Sequence, residues 1–411
     1  MNTKISRRQF MQGCSAAIAA MAGARLTNVA FAAQDSPADT LVVVFLRGGW
    51  DALNVVPPLA GDDRGFYEKA RPGLKIPDNA LLPLNDQFGL HPALNPLYDL
   101  YQQGHLGIVH AVGLNFDTRS HFDAMEYIEL GTPGSKSTTS GWITRHLQTA
   151  PGGTSGLLPA IAAPSQPTAL LGATVTVSMS SVGDFTQWDN GLLAEQQAAL
   201  RRLYNGDTLL HQVGLRTLDA VQAVAPVAET EYRPSNGARY EEDELGTQLK
   251  TVAQMIKMDA GLKVATVDFG GWDMHEYESW SADDGWMPNQ LRSLGSNLAN
   301  FYLDLDSGYT DRLSVVVISE FGRRLAQNDS QGTDHGHGSV MLALGGAVNG
   351  GQVYGAWPGL HNDQLYDHAD LAVTTDYRQV LSELLVNRLG NPNVGEVFPG
   401  FEAGELGVFG S

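Results

Sequence analysis

Apolar and polar positions alternate in blocks along the chain. LVVVFL (Leu41–Leu46) is a continuous apolar, β-branched run, as expected of a strand buried on both faces of a parallel sheet. Pro- and Gly-rich loops follow through Pro83. HPALNPLYDLYQQG (His91–Gly104) has helical spacing and a terminal glycine, and HLGIVHAV (His105–Val112) is the next strand. HFDAMEYIEL reads as a helix with Ser120 at its N-cap. The middle is less regular. Pro151–Pro167 reads as a loop region, ALLGATVTVSM as β-like, and Leu192–Tyr204, Leu209–Ala223 and Ala238–Asp259 as helices. The rhythm then resumes with LKVATVDF (Leu262–Phe269), a helix over Pro288–Leu305, LSVVVIS (Leu313–Ser319), SVMLALGG (Ser339–Gly346) and a closing helix over Thr375–Gly390 with a threonine cap. Strands alternating with helices predict an α/β fold, a doubly wound and mostly parallel sheet with helices on both faces. Thr168–Asp259 is expected to form a mostly helical insertion or one flank of the sheet.

The start of the chain breaks this rhythm. SRRQFM carries Arg7 and Arg8, a weakly apolar stretch (SAAIAAMAGA) follows, and Ala30-Phe31-Ala32 is a small-x-small site. This is the layout of a twin-arginine export signal over residues 1–33, with cleavage near Ala32 or Ala33. It predicts a periplasmic or extracellular protein whose single domain spans 34–411. The stretch is too short and too poor in Leu and Ile for a permanent membrane span. The sole cysteine, Cys14, falls inside the signal, so the mature chain has neither a disulfide nor a thiol nucleophile. Losing Lys4, Arg7, Arg8 and Arg25 leaves 22 basic residues against 45 acidic ones, a formal net charge of −23. Such a surface repels nucleic acid and anionic lipid. A phosphate or sulfate ester would need local positive charge from metal ions or arginines.

Ligands of open α/β sheets bind beyond the carboxyl ends of the strands. "GGWD" closes two of these runs, at Gly48–Asp51 and at Gly270–Asp273. The same places in the pattern carry the Ser120 loop, His275, Glu320 and the cluster Asp334, His335 and His337. Hard oxygens and imidazoles in this arrangement suit one or two divalent ions such as Zn²⁺, Mn²⁺ or Mg²⁺. Asp273 with His275, and His335 with His337, are spaced to face one side of an extended chain. Each group also has a plain structural role open to it. Asp51 can cap the segment after its turn, Glu320 can pair with Arg323 or Arg324, and Ser120 with Asp123 can form a helix cap. Arg47, Arg119 and Arg323 can either clamp an anionic ester or form ordinary ion pairs.

Several segments together resemble the exported bacterial family known as domain of unknown function 1501: VVVFLRGGWDALNVV, FGLHPAL, IVHAVG with TRSHFDAMEYIELG, GGWDMHE, VVVISEFGRR with GTDHGHG, and GGQVYG. The resemblance covers nearly all of the mature chain. That family in turn is similar to the alkaline phosphatase and sulfatase superfamily, which implies an alkaline phosphatase-like core, two metal ions and a nucleophile at a helix start. On that resemblance Asp51 corresponds to the first-strand metal ligand and Ser120 to the nucleophile. Asp273 and His275 correspond to the acid–histidine pair of one metal site, Glu320 to the acid after a late strand, and His335 with His337 to the closing histidine. Three features depart from the superfamily pattern. Asp-x-His replaces Asp-x-x-x-His, Glu320-Phe321 replaces Asp-His, and no C/S-x-P-x-R surrounds Ser120. The implied activity is metal-dependent hydrolysis of phosphate or sulfate esters, on an anionic small molecule or a polysaccharide. A phosphomutase or phosphotransferase, or a non-catalytic binding or assembly protein on the same fold, are the alternatives.

Overall fold

The computed structural model describes residues 39–173, 175–185, 193–228, 230–281 and 285–410. The export signal expected over residues 1–33 lies outside the described residues. Apart from a short ribbon of Leu82–Pro83 with Gly89–Leu90, the strands are β1 (Thr40–Leu46), β2 (Leu106–Gly113), β3 (Ala160–Ala163), β4 (Thr176–Ser178), β5 (Val264–Phe269), β6 (Leu313–Ser319), β7 (Arg323–Gln327), β8 (Thr333–His335), β9 (Ser339–Leu344), β10 (Val353–Tyr354) and β11 (Thr375–Asp376). The large sheet runs β10-β2-β9-β6-β1-β5-β3-β4, with β11 also paired to β2. β1 lies at its centre, parallel to both β5 and β6. β9 is antiparallel to both its neighbours, β2 and β6, while every other pairing in the large sheet is parallel. The sheet is therefore mostly parallel, with one reversed strand that the apolar pattern of SVMLAL does not reveal.

The longer helices are α1 (Gly61–Ala70), α2 (Asn95–Gln102), α3 (His121–Leu130), α4 (Trp142–Thr149), α5 (Leu193–Leu203), α6 (Leu209–Ala228), α7 (Glu244–Lys257), α8 (Trp286–Asp304) and α9 (Tyr377–Asn387). Successive side chains of a strand point to opposite faces, so β1 feeds two cores at once. Val42, Val44 and Leu46 pack with residues of α2, α7 and α8. Leu41, Val43 and Phe45 pack with residues of α3, α4 and α9. This explains why LVVVFL shows no alternation.

Four expectations change. The segment before Pro83 contains α1, whose acidic first turn (Asp62, Asp63) suits the positive end of a helix dipole. The Gly/Pro-rich stretch after Pro151 contains β3, which is made of Ala160, Ile161, Ala162 and Ala163 and is wholly buried; small side chains hide its strand character from a pattern reading. The helix anticipated from Ala238 begins only at Glu244, because the Asp243 side chain accepts from the Gly246 N–H and caps it there. Asp376 rather than Thr375 caps α9, because its carboxylate accepts from the Arg378 N–H at 2.9 Å.

The core also holds neutral histidines. His110 is enclosed, with Nε2 2.8 Å from the Val56 carbonyl and Nδ1 accepting from the Ala111 N–H. That carbonyl can only accept, so Nε2 carries the proton and the ring is neutral. Burial holds His91, His110 and His146 down at about 4. In the unfolded chain these groups titrate near 6.5. Between those values the unfolded state binds more protons, so stability must fall as pH falls from about 6.5 to about 4. Each histidine contributes a slope of up to about 1.4 kcal/mol per pH unit. Denaturant midpoints should therefore drop steadily across that window; a flat profile would contradict the buried neutral rings.

Candidate metal centre

Because β9 is the one reversed strand, its beginning lies at the same edge as the ends of β1, β2, β5 and β6. At that edge the two GGWD turns pack against each other. Gly48 (φ +127°) approaches so closely that a Cβ there would lie 2.4 Å from the Asp273 nitrogen. The Trp272 N–H donates to the Arg47 carbonyl, and the rings of Trp50 and Trp272 meet edge to face at 5.7 Å. Arg323 is buried and ties the turns together. Its Nε donates to the Gly49 carbonyl at 2.5 Å, and one terminal nitrogen donates to the carbonyls of Gly48 and Trp272 and to Asp273 Oδ1 (2.8 Å). The other terminal nitrogen reaches the Thr333 carbonyl at 2.9 Å. Burial would raise the Asp273 carboxyl, but Arg323 and His335 outweigh it and hold it at about 2.

Three imidazoles converge on Asp273. Its Oδ1 lies 3.0 Å from His335 Nε2, 3.0 Å from His275 Nε2 and 3.4 Å from His121 Nε2. His335 Nε2 lies 2.9 Å from Nε2 of both His121 and His275. One ligand atom from each of His121, Asp273 and His335 falls within 4.8 Å of the others.

The far nitrogens of the rings define their protons. His335 Nδ1 is 2.8 Å from the Arg119 carbonyl, and His121 Nδ1 is 2.7 Å from Glu320 Oε1. Both oxygens accept, so both Nδ1 atoms carry hydrogen and both neutral rings turn a bare Nε2 inward. His275 Nδ1 faces Asp334 Oδ1 at 3.4 Å in the same sense. Bare lone pairs facing one another and a carboxylate require a cation between them, either a proton or a metal ion. Outer oxygens that hold the Nδ1–H of inward-facing histidines are the usual support of a metal ligand set. The two central rings differ. The Glu320 hydrogen bond raises His121, whereas burial lowers His335.

The structure brings together Asp273, His275 and His335, with Glu320 and Asp334 behind them. Glu320 is enclosed and holds His121, the Gly48 N–H (2.8 Å) and the Ser319 hydroxyl (3.0 Å), so it fixes the His121 ring rather than facing the cluster itself. Asp51 is directed elsewhere. It forms a buried two-point ion pair with Arg71, which also donates to the carbonyls of Arg324 and Leu325 at 2.8 Å each. Beside this pair Glu278 is fully enclosed, and burial together with Asp51 raises its carboxyl well above the usual range. His337 stacks on Tyr366 at 4.2 Å, and burial holds it at about 4. Ser120 caps α3, with Oγ accepting from the Asp123 N–H at 3.4 Å.

The arginines are engaged by carboxylates. Arg47 pairs with Glu129 (2.6 Å) and Asp268 (2.7 Å), Arg119 with Asp370 (2.7 Å) and Asp367 (3.2 Å), and Arg323 with Asp273. Sequence reasoning passed over His121 and Arg71. The signal for His121 was present, since it follows the cap serine at a strand's carboxyl end. Arg71 lies 20 positions after Asp51, and nothing local marks the pairing.

A mostly parallel, doubly wound α/β sheet with a histidine–aspartate cluster at its carboxyl edge is thus the class of protein the fold defines. The model of the DUF1501 family, described as "Protein of unknown function", matches residues 38–387, and the chain belongs to that family. No curated protein matches it. Solved structures align only loosely. The C-terminal periplasmic domain of EcEptC from Escherichia coli, a complex with Zn, aligns at 9% identity over 78% of this chain and 77% of its own, with a TM-score of 0.33. The PsFucS1 sulfatase from Pseudoalteromonas sp. aligns at 11% identity over 85% and 68%, also at 0.33. A protein in the alkaline phosphatase superfamily from Vibrio parahaemolyticus aligns at 10% identity over 83% and 69%, at 0.31. Scores this low carry no argument about the chemistry here. No helix among the described residues is long and apolar enough to cross a membrane.

The geometry separates the groups that converge from those directed elsewhere, and zinc binding tests the difference. His121→Ala and His335→Ala should each weaken zinc binding more than ~100-fold, and Glu320→Gln by roughly 10–100-fold. Asp51→Asn should leave zinc affinity within about threefold while lowering stability by about 3–5 kcal/mol, because Arg71 loses its buried partner. Competition titrations with a chelating dye and urea melts measure both; loss of zinc in Asp51→Asn with His121→Ala unaffected would reverse the assignment.

Proposed function

We propose that the protein is an exported metal-dependent hydrolase of phosphate or sulfate esters. One divalent ion of the zinc type would be held by His121, His335, His275 and Asp273. The observation that carries this reading is the convergence of three imidazole nitrogens on one carboxylate oxygen, with each ring's outer nitrogen facing an oxygen. A ligand set rich in nitrogen suits zinc or another transition metal better than magnesium, which prefers oxygen. When bound, such an ion supplies Lewis-acid polarisation of an ester oxygen.

The chain's own residues supply the rest. Ser120 is the candidate nucleophile. It stands between Arg119, whose carbonyl holds His335, and His121 itself, so its backbone is fixed to the centre on both sides. Its hydroxyl sits at the start of α3, where the helix dipole favours developing negative charge. The Asp123 N–H already donates to the Ser120 hydroxyl, while the His121 and Phe122 amides lack intrahelical acceptors and can donate to an anionic group. Arg323 keeps Asp273 ionised and in place. Arg47 and Arg119 are spent on carboxylates, so they are not free clamps for the ester. That last observation favours a second reading, a non-catalytic binding protein that retained the metal.

The purified exported form should hold about one equivalent of zinc. It should turn over 4-nitrophenyl phosphate or sulfate, lose turnover on chelation and regain it with zinc. Ser120→Ala should lower kcat at least ~100-fold with zinc content unchanged. Bound zinc without turnover of any ester in a broad panel, and an unchanged cellular phenotype in Ser120→Ala, would select the binding protein instead.

A further inference from the structure

Four aromatic side chains are strongly exposed among the described residues: Phe116 (40%), Phe122 (83%), Tyr277 (60%) and Trp286 (67%). All four belong to segments bordering the metal centre. Phe122 follows the ligand His121, and Phe116 lies on the loop that leads from β2 to that helix. On the other side Tyr277 stands two residues after the ligand His275, and the Trp286 N–H donates to the Tyr277 carbonyl at 3.3 Å. The display of Tyr277 is built. It and Ser279 both adopt positive φ (49° and 50°), a region that non-glycine residues rarely occupy, and such strain gathers at functional sites. The loop is pinned by N–H donations from Tyr277 to the Ser330 carbonyl and from Glu278 to the Gln331 carbonyl. Isolated exposed apolar residues are ordinary, and five exposed aliphatic side chains (Leu171, Leu203, Leu210, Leu303 and Val386) lie on other segments; the exposed aromatics all fall on the two segments that carry or adjoin the cluster, which is where a ligand surface would lie.

We infer that this rim binds saccharide rings, and that the ester the centre acts on is carried by a glycan. The reacting group rests on the hydrolase reading; the rim does not. A pyranose presents a face of C–H groups, which stacks on the negative face of an aromatic ring, and hydroxyls around its edge. Carboxylates beside the rim, such as Glu276 and the half-exposed Asp334, accept from hydroxyls. A lipid surface fits poorly. The mature chain's net charge of −23 repels an anionic bilayer over its whole face, whereas an uncharged saccharide ring on the rim meets no such repulsion and only the single ester group needs the cation of the centre. Four separated rings are also not the continuous apolar face that a membrane-lying segment presents. A polyanion held by charge alone would need free arginines, and Arg47, Arg119 and Arg323 are neutralised.

The test is affinity electrophoresis of the zinc-loaded and the chelated full-length mature protein. The gels contain cellulose-, xylan-, agarose-, carrageenan- or chondroitin-type polysaccharides. At least one should retard both forms, because the rings act without the ion. The triple variant Phe122→Ala/Tyr277→Ala/Trp286→Ala should lose that retardation at least tenfold while keeping its melting temperature and zinc content. Retardation by none of the five, equal retardation of the triple variant, or aromatic-dependent binding to phosphatidylcholine–phosphatidylglycerol vesicles instead would overturn the inference. Absence of ester turnover would count against the hydrolase and leave glycan retention to decide this point separately.

Discussion

The buried guanidinium of Arg323 is the constraint on which this edge of the molecule depends. Five acceptors surround it: the carbonyls of Gly48, Gly49, Trp272 and Thr333 and the carboxylate of Asp273. A cation taken from water at that depth is tolerable only when its donors are met, and removing one partner of such a pair costs about 3–5 kcal/mol. The two GGWD turns therefore cannot relax independently. The first brings two carbonyls to one charge, and the second brings one carbonyl and the carboxylate on which the three histidines converge. The glycines follow from this closeness, since a side chain at Gly48 would collide with the backbone of the other turn.

The rest of the cluster follows from sheet order. β1, β5 and β6 lie side by side and parallel, so the segments after Leu46, Phe269 and Ser319 emerge together. A parallel neighbour in place of β9 would have put His335 at the opposite edge. The reversed strand needs only the short β7–β8 ribbon to return the chain, and that ribbon carries Arg323 at its start and His335 at its end. The clamping arginine and the clustered histidine are thus parts of one hairpin, and a change in its register would move both.

Much of this was legible before any coordinates. Continuous apolar runs at β1 and β6 announce strands buried on both faces, and a turn glycine followed by an acid or histidine announces the ligand edge. Asp273, His275 and His335 were placed at that edge this way, and the structure brings them together there. What escaped was set by contacts distant in sequence. Asp51 and Asp273 stand in identical tetrapeptides, yet one meets Arg71 and the other meets three imidazoles; no local rule distinguishes them. Glu320 was expected as a metal ligand, but it stands behind His121, and that place depends on a helix start 199 residues away. His337 shares the spacing of His335, but Gly336 lies against the Arg323 backbone, and the next ring packs onto Tyr366 instead of joining the cluster.

The fate of Asp51 bears on how many ions the edge would hold. A carboxylate freed by a tight turn and buried beside a second acid, Glu278, must be neutralised. A metal ion would do this at the cost of binding equilibrium and pH dependence. Arg71 does it permanently, since a guanidinium cannot lose its proton in a protein. Its planar fork already meets both oxygens of Asp51 and the carbonyls of Arg324 and Leu325, which lie in the same β7 strand that begins with Arg323. One arginine therefore braces the strand from the side of the first turn, and the other braces it from the side of the histidines. On this logic the two turns divide the work: the first is locked by a covalently supplied cation and carries structure, while the second keeps its carboxylate half-exposed, where an exchangeable cation can reach it.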